Sequence, residues 1–288
     1  MERSNWNSGA CWFVSALALL VPTIFSRSVL DSFDLPKATI LWLSIPVLLG
    51  ITVPILKAQI DSQERVWHVR LSALLIASML LSTLTSMRPM VSLFGQYQRN
   101  TGLLTWVGSV LVFMIVGSWE AEKWTGRVQA ALSIAGAIIA IYAVIQLIGL
   151  DPWKWDSPGQ NRPVFSTMGN VNTSSGFVAP LIPLVLITFI NSRRSIARSL
   201  SAGLVVLLAC SLGIFQSFQG TVAVLVGGSF LLWKALDRAT LRGASLDVLL
   251  FTLIVAASYF STSGLGVAVA VMLGLVLGGF SKIGRAHV

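Results

Sequence analysis

A chain of 288 residues that is 55% hydrophobic and 11% charged, with a mean hydropathy of +0.81, is too apolar to be a soluble domain. Its net charge of +9 would suggest nucleic acid in a soluble protein, but here the basic residues fall between apolar segments, which points to a membrane instead. Cys11 and Cys210 both lie inside apolar segments, so neither a disulfide framework nor a metal site is supported.

A bilayer core takes about 20 mostly apolar residues per helix, and about ten segments of that kind follow one another along the chain. They are predicted at roughly 10–26, 39–56, 71–87, 103–119, 128–150, 173–190, 200–216, 219–235, 247–260 and 264–280. The fold class expected is therefore all-α, a polytopic membrane helix bundle, with residues 1–281 as a single transmembrane domain. Ser261-Thr262-Ser263-Gly264 reads as a tight hairpin between the last two helices. The first segment lacks a small-residue cleavage site and is expected to stay as an anchor.

Positive charge alternates from loop to loop. Arg3, Lys57, Arg65, Arg70, Lys123, Arg127, Arg193, Arg194, Arg198, Lys234, Arg238, Arg242, Lys282 and Arg285 fall on one side, against Arg27, Lys37, Arg88, Arg99, Lys154 and Arg162 on the other. Cytoplasmic loops collect Lys and Arg, so the 14-to-6 split places the N-terminus inside. Trp12, Trp42, Trp106, Trp119 and Trp124 lie near segment ends, where amphipathic rings settle at the interface.

Three outer stretches hold the polar residues. In the first, Asp31 to Lys37, Pro36 sits where a helix start tolerates proline. Lys37 reads as an interfacial, snorkelling lysine or as a functional cation. The second, Leu93 to Leu104, gathers Gln96, Tyr97, Gln98, Arg99 and Asn100. Either Tyr97 and Arg99 anchor the chain at the headgroups, or Arg99 grips a phosphate bidentately, as only a guanidinium can.

The third and longest runs from Asp151 to Ser174 and contains Trp153, Trp155, Arg162 and a Gly169-Asn170-Val171-Asn172 element. Asn170 or Asn172 is placed to cap the sixth helix, whose N-terminal N–H groups would then face an anion, with Arg162 close in sequence. The two Trp residues serve as belt anchors or as faces for sugar rings. Pro180 and Pro183 predict a kinked or broken helix just beyond. Gln216-Ser217-Phe218-Gln219-Gly220-Thr221 reads as a hairpin turn, and Gly274 with Gly278 as a helix-packing pair. No Asp or Glu falls well inside a predicted span, which argues against an ion-coupled carrier.

The order of these features resembles the O-antigen ligase and O-antigen polymerase superfamily of bacterial inner-membrane proteins. The similarity rests on Pro36-Lys37 entering helix two, on Phe94-Gly95, Tyr97, Arg99 and Gly102-Leu103 entering helix four, and on Arg162 with Gly169-Asn170 and Asn172 entering helix six. It covers residues 30 to 235; Gln219 stands where the family commonly has arginine. The resemblance implies about twelve helices and metal-independent, cofactor-free transfer of a polyprenyl-diphosphate-linked glycan. The acceptor is a hydroxyl of lipid A core, a polysaccharide or a protein. It also implies that outer arginines hold the donor diphosphate, Arg162 first and Arg99 second, with Asn170, Asn172 and Tyr97 shaping the pocket, and that a histidine in a late outer loop is the base.

The only histidines are His68, in a basic inner loop, and His287. The run Lys282 to Val288 resembles a sequencing adapter translated in frame, the alternative being a short basic tail. The natural protein is thus expected to continue beyond Ser281, and the present chain to be inactive. Two other classes compete: a transporter or flippase, which would line a path through the bundle with polar residues, and a non-catalytic envelope scaffold.

Overall fold

The computed structural model describes residues 2–62, 66–119, 121–155, 164–192 and 195–237. Among them every regular element is helical and there is no strand. The helices are α1 (Glu2–Thr23), α2 (Asp34–Ser62), α3 (Val66–Leu84), α4 (Pro89–Phe94), α5 (Leu103–Gly117), α6 (Ala121–Leu147), α7 (Val171–Asn191), α8 (Ser195–Phe215) and α9 (Phe218–Asp237), with one 3₁₀ turn at Ser166–Met168.

Eight long helices stand where the first eight segments were predicted. Within them, Asp34–Lys57, Trp67–Leu84, Trp124–Leu147, Val171–Phe189 and Ile196–Phe215 are long and apolar enough to cross a membrane. Ser8–Thr23, Leu103–Gly117 and Phe218–Gly228 are apolar but shorter. The predicted segments at 247–260 and 264–280, the Gly274–Gly278 pair and the terminal run from Lys282 lie outside the described residues. Helix α4 has no counterpart in the prediction. Pro89 opens it at a position that needs no N–H, and Gly95, at φ +95°, closes it after six residues.

The chain divides into two compact units, residues 1–135 and the part beginning at Gly136. In the first, α2 packs on α1, α3 and α5. Its core joins Cys11, Val14, Leu48, Leu111 and Ile115, with Trp119 and Trp124 buried alongside. In the second, α7 is the central helix and packs on both α8 and α9 around Val178, Ile182, Leu208 and Phe215. Gly136 lets Leu181 and Leu208 close in on α6, since a Cβ there would stand 2.6 Å from a Leu181 methyl.

Large apolar side chains are also exposed. Leu71, Leu74, Leu81 and Leu84 on α3 all face outward, as residues that meet lipid do.

One expectation is narrowed and another needs correction. Of the kinked or broken helix expected at Pro180 and Pro183, the break is excluded: α7 continues through both to Asn191. Each proline forgoes one backbone bond, to Gly176 and to Ala179 by helical register, and tight packing on α8 and α9 holds the helix together regardless. The aromatic belt is also thinner than predicted. Trp119 and Trp124 are core residues, and Trp42 donates its indole N–H to Thr105 Oγ1 at 2.8 Å, whereas Trp12 and Trp106 are exposed.

Candidate functional site

In the first unit the polar residues meet where Asp31, in the turn before α2, reaches Asn100, in the loop after α4. Asp31 is buried. Its Oδ1 accepts the Asp34 N–H at 3.0 Å, fixing the entry to α2, and its Oδ2 accepts from Asn100 Nδ2 at 2.7 Å. Asn100 is held on every side. Its own N–H bonds to Gln96 O at 3.0 Å, and its carbonyl accepts from Thr105 Oγ1 at 2.6 Å. Its backbone is left-handed at φ +49°, a conformation asparagine tolerates better than most residues.

This clamp shapes the loop after α4. Gly95 and Gly102 close its neck backbone against backbone: a Cβ on Gly102 would fall on Gly95 N, Leu93 O and Phe94 C. Tyr97 and Arg99 stand exposed on the loop so formed. Its base is held by Phe94, whose ring meets Trp42 edge-on at 5.4 Å.

Lys37 overturns the interfacial reading. It is buried, donates to Ile24 O and Phe33 O at 3.0 Å each, and lies over the Phe33 ring at 5.6 Å. An ammonium taken from water needs such acceptors, and two loop carbonyls supply them. Its placement is that of a staple between the end of α1 and the start of α2.

The second unit has its own polar centre, built on Asp151. Its carboxylate accepts from Tyr142 OH at 3.1–3.2 Å, Gln146 Nε2 at 3.0 Å, Trp153 N at 3.0 Å and Trp155 Nε1 at 3.0 Å. Gln146 then accepts at Oε1 from the N–H groups of Phe165 (3.0 Å) and Ser166 (2.8 Å), so one side chain ties both ends of the long loop to α6. Ser166 Oγ donates to Ile139 O at 2.7 Å, and Ser174 Oγ to Phe165 O at 2.8 Å. The rings of Tyr142, Trp153, Trp155 and Phe165 stack edge to face in a continuous row. Trp155 is thus committed to a packed cluster through its N–H and its ring.

At the start of α7 the cap is Asn170, whose side chain accepts the Asn172 N–H at 2.8 Å. Asn172 turns elsewhere: its Oδ1 accepts from Ser217 Oγ at 2.9 Å, joining the α8–α9 turn to the first turn of α7. Gly220 fits directly against Ser175, where a Cβ would stand 2.8 Å from Ser175 Cβ.

Of the residues predicted to form the site, Arg99 and Tyr97 share one exposed loop in the first unit, and Asn170 and Asn172 share a helix start in the second. Arg162 lies outside the described residues. His68, near the start of α3, is about 24 Å along that helix from Leu84, at 1.5 Å per residue, and so stands away from the Arg99 loop. Among the described residues no three His, Cys, Asp or Glu side chains gather as a metal site. Sequence reasoning missed Asp31, Gln146 and Asp151 as organisers; the one available signal was an acidic or amide group beside a helix end.

No family model, curated protein or solved structure matches the chain.

Proposed function

We propose that this is a multi-pass protein of the bacterial inner membrane, with a cytoplasmic N-terminus and about ten spanning helices in the sequence given. We propose that its outer face transfers a polyprenyl-diphosphate-linked glycan to an acceptor hydroxyl, in the manner of O-antigen ligases and polymerases. The acceptor is lipid A core, a polysaccharide or a protein.

The observation that carries this reading is Arg99: an exposed guanidinium on a loop whose neck is closed by Gly95 and Gly102 and clamped through Asn100. A guanidinium carried on a fixed loop suits a diphosphate, because the protein needs less reorganisation when negative charge grows on the leaving group. A second anion-binding element supports it in the other unit. There the capped N-terminus of α7 carries Asn170 and Asn172, and Arg162 precedes it in sequence.

In this reading Arg99 of the first unit is proposed to neutralise the departing diphosphate, with Tyr97 beside it on the same loop, and Arg162, Asn170 and Asn172 are proposed as donor-binding residues of the second unit. His68, the single histidine among the described residues, is not proposed as the base that takes the acceptor proton. Transfer is measured in membranes whose glycan ligation depends on the natural protein. Arg162→Ala abolishes it while leaving membrane insertion unchanged; normal transfer by that variant overturns the assignment.

A further inference from the structure

Near its C-terminal end α3 carries Ser78, Ser82 and Thr83, at spacings that put them on adjoining parts of one helix face. They form one wall of an open cleft of about 340 Å³, which Ser92 of α4, Thr101 of the following loop and Trp106 of α5 complete together with small and apolar neighbours. That volume falls toward the lower end of the ~300–1,000 Å³ range of ligand pockets. The loop that contributes Thr101 is the one that exposes Arg99 and Tyr97.

Hydroxyls on membrane helices commonly do no more than bond back to their own backbone. Ser78 does so to Leu75 O at 2.9 Å and Thr83 to Met79 O at 2.8 Å, while Ser92 Oγ donates to Ser86 Oγ at 2.7 Å. Each of these oxygens keeps lone pairs that accept. Ser82 and Thr101 differ: both are exposed, and neither hydroxyl has a protein partner among the described residues. No charged side chain lines the cleft. Two unpartnered hydroxyls, three further acceptors and a half-exposed indole do not suit an ion. They suit a ring that has several hydroxyls on its edge and an apolar face.

We infer that this cleft binds one neutral sugar ring. The inference rests on the glycan-transfer reading only for the sugar's attachment to a lipid. The preference for a sugar comes from the lining itself.

The test uses the full chain in lipid nanodiscs with Cys11→Ala and Cys210→Ala, so that Thr101→Cys is the sole thiol, and follows its rate of maleimide labelling. Ser82→Cys is a second reporter should the first fail to fold. Three probes are compared: a short-chain prenyl diphosphate bearing N-acetylglucosamine, the same prenyl diphosphate without sugar, and free N-acetylglucosamine. The sugar-bearing lipid slows labelling about tenfold at roughly ten times its Kd. The sugar-free lipid has no effect. Trp106→Ala removes the protection and Trp106→Phe retains it. Protection by free N-acetylglucosamine as strong as by the lipid-linked sugar keeps the sugar site and assigns it to a soluble glycan. Equal protection by the sugar-free lipid, or none by any probe, overturns the inference. Protection that persists while deletion of the natural protein leaves glycan transfer in its membranes unchanged overturns the transferase reading alone; transfer that is lost on deletion, without protection by any probe, overturns the cleft alone.

Discussion

Asn100 Nδ2 donates to Asp31 Oδ2 at 2.7 Å across 69 residues of sequence, and both groups are buried. This bond joins the turn before α2 to the loop that exposes Arg99. Breaking it from either side leaves a buried polar atom without its partner, at a cost of about 1–3 kcal/mol. Asp31→Ala and Asn100→Ala should each lower the thermal midpoint in detergent, and the double variant should lose less than the sum. Strict additivity would show that the two residues do not act as a pair.

The two glycines at the loop neck are not interchangeable with alanine. Gly95 has φ +95°, and its added Cβ would stand 2.7 Å from Asn100 C and from Gly102 N. Gly95→Ala and Gly102→Ala should therefore destabilise by about 3 kcal/mol or more, combining backbone strain with a clash. Gly126→Ala is the control. Nothing lies within 4 Å of its Cβ position inside α6, so it should be neutral or stabilise by up to about 1 kcal/mol. Equal tolerance at all three positions in a thermal-shift series would refute the closed neck.

Arg99 itself makes no demand on the fold. Arg99→Ala should leave the thermal midpoint within error, since an exposed substitution costs about 0.5 kcal/mol at most. It should reduce glycan transfer about a hundredfold, the usual scale for removing one charge-stabilising donor. Arg99→Lys should recover only part of the rate, because an ammonium lacks the bidentate fork. Full activity in the lysine variant would reduce Arg99 to a simple positive charge.

Asp151 concentrates four donors on one carboxylate, two of them from Trp153 and Trp155. Asp151→Ala should free the Trp155 indole and unpack the aromatic row, shifting tryptophan emission to the red and lowering stability by about 2–4 kcal/mol. Ser217→Ala removes only its bond to Asn172 and should cost about 1 kcal/mol with emission unchanged. Similar spectra for the two variants would argue against Asp151 as the organiser of the loop.

Apolar segments of bilayer length determined where the helices run, because a helix satisfies its own backbone and needs only a run of suitable side chains. The eight long helices of the described chain fall where those segments were read. The polar stretches at 31–37, 93–104 and 151–174 also stood out, since hydrogen-bonding residues interrupt an otherwise apolar chain. Local sequence even named Asn170 or Asn172 as the cap of α7, and the structure chose Asn170.

The tertiary structure alone decided what those polar groups do. Lys37 turns inward to two loop carbonyls, Asn100 reaches Asp31, and Gln146 ties down Phe165 and Ser166. Apart from the Lys37 bond to Phe33 O, four residues away, none of these pairings follows from spacing, because each partner is brought in by the packing of other segments. A buried lysine and a snorkelling one have the same local sequence. Only the fold determines whether carbonyls or water surround the charge.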